Sequence, residues 1–149
     1  MSRFTGLAVA LMMAVAALAP LSDAYAGDKM HKVVIHVDEN DKARMNLALN
    51  NASNVTSHYL AKGEEVQIEI VAYGPGLKML TADSPVAARV KSLTENFEQI
   101  SFKGCGNTHK KMSKKAGKQI AMLPQAKMVP AGVVHLMERQ EEGWTYIRP

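Results

Sequence analysis

The residue best placed for chemistry in this sequence is Cys105, set between Gly104 and Gly106 and followed by Asn107, Thr108, His109, Lys110 and Lys111. It is the only cysteine in the chain. An internal disulfide is therefore ruled out, which leaves a buried inert residue, an intermolecular bridge or a reactive thiol. Flanking glycines bring backbone close to a site and shield little, and a helix is expected to start just beyond, capped by Asn107 or Thr108. Helix N-termini and nearby cations both favour thiolate over thiol, and Lys103, His109, Lys110 and Lys111 all lie close in sequence. The pattern predicts a reactive Cys105. On a helical wheel Lys110, Lys111, Lys114, Lys115 and Lys118 fall within an arc of about 140° at 3.6 residues per turn. That arc reads either as a solvated face or as a surface for an anion or an acidic partner. His109 falls with Met112, Ala116 and Ile120 on the apolar side, which aims it inward. There it is either packed under the loop or placed to donate to the sulfur or move a proton.

Other chemistry is poorly represented. The sequence has no GxGxxG, P-loop, GxSxG or HExxH pattern, and one cysteine with the dispersed His31, His36, His58 and His135 lacks zinc-site spacing, so neither metal nor cofactor is expected. Met45, Met112 and Met137 fall on predicted helix core faces, which favours packing over copper binding. The net charge is +4, but six lysines and no carboxylate lie between Lys103 and Lys118. This is a basic spot, not the wide basic footprint with interleaved aromatics that nucleic-acid binding requires, and that class is set aside.

The elements that position these residues begin after an export segment. Residues 1–26 carry Arg3, an apolar run from Leu7 to Ala19, Pro20, and the small-x-small close Ala24-Tyr25-Ala26, the pattern of a secretory signal cut after Ala26. The apolar run would span only ~20 Å as a helix against a hydrocarbon core of ~30 Å, so a retained anchor is the poorer reading. A periplasmic location follows, with no membrane attachment after cleavage. Residues 27–149 are expected to form one domain, since the whole chain is 47% hydrophobic, 21% charged and 5% aromatic, with no repeat or linker.

Within that domain Lys32–Val37 reads as a buried strand ending at the capping cluster Asp38–Asp41. Met45, Leu49, Ala52, Val55 and Tyr59 recur at helical spacing before a stop at Gly63. Val66–Ala72 is a second strand, ending where Tyr73-Gly74-Pro75-Gly76 must turn sharply. A second helix is expected from Ser84 as cap with Pro85 in its first turn. Phe97–Lys103 is a third strand, then a helix to about Gly117, a short strand Met128–Pro130, a helix from Gly132 to Glu141, and a last strand Trp144–Ile147. Strands alternating with helices predict an α/β fold with a parallel sheet of five strands covered on both faces. In such folds reactive groups gather at the carboxyl ends of strands, where both Cys105 and the Tyr73–Gly76 turn lie.

The run Ile100-Ser-Phe-Lys-Gly-Cys105-Gly-Asn-Thr108, with Val129-Pro-Ala-Gly132-Val-Val and Gln140-Glu-Glu-Gly143-Trp-Thr-Tyr-Ile-Arg-Pro149, resembles the DsrE/DsrF-like family, most closely its small exported members. The resemblance extends over the mature chain. It implies a three-layer α/β/α, flavodoxin-like fold with a mostly parallel sheet and assembly into trimers or hexamers. It also implies a cysteine at a strand end that carries sulfur as a persulfide, a position matched by Cys105.

Two functional classes follow. In the first, Cys105 accepts sulfane sulfur from a donor protein or small sulfur species and passes it to an acceptor, at most a sulfurtransferase-like activity. The helix N-terminus, Lys103, Lys110 and Lys111 would stabilise the anion, and Gly104 and Gly106 would admit a partner sulfur. In the second, the protein is a non-catalytic binding module or structural homo-oligomer, holding a small anion or partner protein between Tyr73-Gly74-Pro75-Gly76 and the Cys105 loop.

Overall fold

The computed structural model describes residues 30–149, so the expected signal segment and its cut after Ala26 lie outside the described residues. Five strands, β1 (His31–Val37), β2 (Val66–Ala72), β3 (Ile100–Cys105), β4 (Ala126–Val129) and β5 (Thr145–Ile147), alternate with four helices. These are α1 (Lys42–Ala61), α2 (Ala87–Asn96), α3 (Gly106–Ala116) and α4 (Gly132–Glu141). The strands form one sheet in the order β4-β3-β2-β1-β5, and every pairing is parallel. The α/β expectation of a five-stranded sheet covered on both faces therefore holds.

Strand order and handedness together assign the layers. The steps β1 to β2, β2 to β3 and β3 to β4 all move the same way across the sheet. Right-handed crossovers therefore place α1, α2 and α3 on one face. The step from β4 back to β5 reverses direction, so α4 must cross on the other. The packing follows this division. On the first face Ile35, Ile68, Ile70, Phe102 and their neighbours pack against Met45 and Leu49 of α1 and Val90 of α2 in a large apolar core, with Met112 of α3 at its margin. On the second, among the described residues, the apolar partners of Val34 and Val71 are Leu136, Trp144 and the flank of Tyr73.

The predicted punctuation is present at several places. Asp41 caps α1 by accepting the Arg44 N–H at 2.7 Å, a contact of the kind that contributes about 1 kcal/mol. Gly63 and Gly117 follow α1 and α3 with φ of 69° and 66°, the left-handed values at which glycine ends a helix.

Other boundaries differ. The Gly74-Pro75-Gly76 turn continues as a 3₁₀ helix over Gly74–Leu80, whose Leu77, Met79 and Leu80 fill the first-face core. Helix α2 starts at Ala87 and not in the turn after Ser84. The Ser84 hydroxyl instead accepts the Val86 N–H at 3.2 Å, so serine and proline build the turn that precedes the helix. Strand β3 starts at Ile100, after a turn closed by Ile100 N–H to the Phe97 carbonyl. Met45 is buried and Met112 partly so, but Met137 is 55% exposed. It lies on the outer side of α4, the one helix on its face, with nothing from the described residues above it.

Candidate functional site

Cys105 is the last residue of β3, and adjacent side chains of a strand point to opposite faces. Cys105 and Lys103 therefore point toward α4, and Gly104 points toward the three-helix side. The chain leaves β3 into α3 on one face and leaves the neighbouring β4 into α4 on the other. This divergence is the switch point at which open α/β sheets form a crevice beyond their carboxyl ends. Cys105 occupies it, with the first turns of α3 and α4 both opening toward the sulfur.

The cap differs from expectation. Neither Asn107 nor Thr108 caps α3, because the helix begins at Gly106 and Cys105 itself is the N-cap, its Sγ accepting the Thr108 N–H at 3.4 Å. Thr108 contributes twice. Its Oγ1 accepts the Gly74 N–H at 3.0 Å, and its hydroxyl is among the groups that lower the Cys105 pKa. Burial pushes the Cys105 thiol up. The Thr108 hydroxyl and the backbone N–H groups of Gly132, Thr108 and Asn107 outweigh it, and the net shift is downward. Of these groups the Thr108 N–H is hydrogen-bonded to the sulfur, while the Asn107 N–H also bonds the Pro130 carbonyl at 3.1 Å. Thr108→Val keeps the shape and removes the hydroxyl. It is expected to withdraw about 1 kcal/mol of thiolate stabilisation, seen as a higher midpoint in the pH dependence of alkylation and a roughly fivefold slower reaction at neutral pH.

This chain's own packing already requires glycine at both positions. A Cβ on Gly104 would sit 2.9 Å from Met128 Sδ and 3.3 Å from Leu77 Cδ1, and one on Gly106 would sit 3.1 Å from the Val129 carbonyl oxygen. The space is already filled by this chain, so both residues let the Cys105 strand and loop pack closely on β4 and the 3₁₀ helix. Cys105 itself is only 5% exposed.

The expected cations also lie elsewhere. Lys103 Nζ is 3.2 Å from Glu69 Oε1. His109 is directed away from the thiol, its Nε2 bonded to the Ile120 carbonyl at 2.7 Å, so it is neither donor nor proton carrier for Cys105. Lys110 is exposed. Lys111 lines an open groove of about 440 Å³ with Asn40, Gly74, Pro75, Lys78, Thr108 and Met112. That groove brings Gly74 and Pro75 to the α3 side of the cysteine loop. Gly76 does not reach it. It is buried against the end of β1, where its N–H bonds the Asp38 carbonyl at 3.0 Å.

Tyr73 stands on the α4 side. A Cβ on Gly132 would lie 3.0 Å from Tyr73 Cβ and 3.2 Å from Cys105 Cβ, so the three residues share one small volume. Burial raises the Tyr73 phenol, with Asp38 and Cys105 adding to the rise.

Beyond Tyr73 lies a group that the dispersed histidines concealed. Across the carboxyl ends of β3, β2, β1 and β5 run Cys105, Tyr73, His36 and Tyr146. His36 is buried, stacked on Tyr73 at 4.5 Å, and bonded through Nδ1 to the Tyr146 hydroxyl at 2.8 Å. Its Nε2 is 4.0 Å from Asp38 Oδ2, and Arg148 binds the same carboxylate at 3.0 Å. Burial pushes His36 down, Asp38 draws it back up and Arg148 lowers it again; the net direction is downward. A sequence signal existed, because His36 shares the Val34 face of a buried apolar strand and so needs a polar partner. Its partner Tyr146 is supplied by the distant β5, which no spacing rule reveals.

Among the described residues no group of three or more His, Cys, Asp or Glu side chains is arranged to hold a metal. No helix there is long and apolar enough to cross a membrane.

No family model matches the chain, and no curated protein matches it. Among solved structures it is similar to the protein of unknown function MTH1491 from Methanobacterium thermoautotrophicum. The two are 35% identical over 80% of this chain and 99% of that one, with a TM-score of 0.67. Agreement in sequence and fold along the full length of that protein makes this chain a member of the MTH1491 family.

Proposed function

We propose that this protein carries sulfane sulfur as a persulfide on Cys105. The observation that supports the reading most is the place of Cys105 as the N-cap of α3, its Sγ accepting the Thr108 N–H at 3.4 Å and its thiol pKa lowered. Such an arrangement favours an anion at that atom, whether thiolate or persulfide. The resemblance of the Ile100–Thr108 run to the DsrE/DsrF-like family supports the same reading.

In the loading step the Cys105 thiolate attacks the sulfane sulfur of a donor. A sulfur–sulfur bond forms to Cys105 as the donor's sulfur–sulfur bond breaks, and the donor leaves as thiolate or sulfite with the bonding pair. In unloading, an acceptor thiolate attacks the outer sulfur and Cys105 departs as thiolate. Neither step needs an outside oxidant, and no resolving cysteine is required. Burial of Cys105 favours small sulfur species as donors, or a partner that enters between Tyr73 and α4. Export to the periplasm and assembly into a trimer or hexamer belong to the same proposal.

A second reading, a non-catalytic module for a small anion, draws on the groove between Gly74, Pro75 and Lys111. Intact mass after incubation with thiosulfate or polysulfide separates the two. The carrier reading expects a gain of one sulfur atom that reductant removes and Cys105→Ser abolishes. No gain on a free, reduced thiol would sink it and leave the binding module.

A further inference from the structure

Glu69 is the only buried acidic side chain among the described residues. It lies on β2, facing α4, and is held from three directions. His135 Nε2 lies 2.5 Å from Oε2, Arg139 Nε donates to Oε2 at 3.0 Å, and Lys103 Nζ is 3.2 Å from Oε1. Burial alone would raise the Glu69 carboxyl, but the bonds from His135 and Arg139 and the nearby Lys103 ammonium bring it below its ordinary value, so it is ionised.

The partners of this carboxylate are not scattered. His135 and Arg139 are one turn apart on the inner stripe of α4, and Lys103 precedes Cys105 by two residues on the same face of β3. Among the described residues apolar packing beneath α4 is thin, limited to Val34, Val71, Leu136, Trp144 and Tyr73. Directional bonds at Glu69 therefore do most to fix where α4 sits along and around its axis. One turn before His135 is Gly132, packed so closely on Cys105 that a Cβ there would lie 3.2 Å from Cys105 Cβ, and its N–H is among the groups that lower the thiol pKa.

We propose that Glu69 is a positioning residue for Cys105: by clamping His135 and Arg139 of α4 to Lys103 of β3, it holds the first turn of α4, at Gly132, against the cysteine. The inference deepens the reading of Cys105 as a working thiol and rests on it. Glu69 touches no reacting atom and acts only through α4.

The test is the pH dependence of Cys105 alkylation in the whole protein, using iodoacetamide as probe. Two quantities are read. The midpoint reports donors to the thiolate, and the alkaline plateau reports access. In Glu69→Gln the midpoint is expected to rise and the rate at neutral pH to fall about threefold to tenfold relative to the plateau. A role confined to stability would raise the plateau and leave the midpoint in place. If Glu69→Gln does not fold, the double variant Glu69→Met with Lys103→Met decides. It removes the carboxylate together with its Lys103 partner and fills their volume with apolar groups, so that no lysine is left unpaired there, while Arg139 keeps its bond to Glu142. An unmoved midpoint in the folded variant overturns the proposal. Sulfur loading of the wild-type protein is scored separately by mass. A shifted midpoint without loading retains the clamp and rejects the carrier, and loading with an unmoved midpoint does the reverse.

Discussion

Gly76→Ala is expected to lower the unfolding free energy by about 3 kcal/mol, toward the upper end of what overpacking a tight site costs. The added Cβ would stand 2.3 Å from the Val37 carbonyl oxygen, 2.6 Å from its carbon and 2.8 Å from Asp38 Cα. All three are backbone atoms at the end of β1, so no rotamer change relieves the contact. Relief requires the 3₁₀ segment Gly74–Leu80 to lift, which strains the Gly76 N–H bond to Asp38 and withdraws Leu77 and Leu80 from the core. Because Gly74 also donates to Thr108 Oγ1, the disturbance reaches the cysteine loop. Urea unfolding is the check: a lower midpoint with unchanged slope is expected. A loss under ~1 kcal/mol would show that the 3₁₀ segment yields without cost.

Gly132→Ala is expected to act less on stability and more on the thiol. Its Cβ would press on the side chain of Tyr73 at 3.0 Å and 3.1 Å and on Cys105 Cβ at 3.2 Å. Side chains can give by a few tenths of an ångström, so the stability cost is set at about 1–2 kcal/mol. The first turn of α4 retreats by the same amount, which takes the Gly132 N–H, one of the groups that lower the thiol pKa, farther from the sulfur. Since that donor favours thiolate, its loss raises the alkylation midpoint and slows reaction at neutral pH by roughly tenfold. An unchanged midpoint in a folded Gly132→Ala protein would remove α4 from the account of the lowered pKa and leave α3 alone.

The two glycines differ in how visible they were. Gly76 was legible as part of a turn, because Gly-Pro-Gly at a strand end has few other readings. Its close approach to β1 was not, since the approach depends on where the 3₁₀ helix settles against a strand some forty residues earlier. Gly132 was read only as a helix start. What demands a glycine there is the crowding of Tyr73 and Cys105, from two other strands. Lys103 and His109 show the opposite case: nearness in sequence suggested Lys103 as a cation for the thiol and left His109 open between packing under the loop and serving the sulfur. Lys103 is taken up by Glu69 and His109 by the Ile120 carbonyl, because a buried acid and an open carbonyl bind those donors first.

From the sequence alone came the α/β class, the five strands and their approximate limits, the helix stops at Gly63 and Gly117, and Cys105 at a strand-to-helix junction. These are local properties. Hydrophobic period, capping side chains and glycine backbone freedom act over a few residues and leave their pattern in the sequence. Only the tertiary structure decided that α4 is, among the described residues, the one helix on its face, that its N-terminus meets that of α3 at Cys105, that Glu69 clamps Lys103, His135 and Arg139, and that His36 stacks on Tyr73 and bonds Tyr146. Each joins residues from strands far apart in sequence. Strand order and crossover hand select such pairings, and no spacing along the chain encodes them.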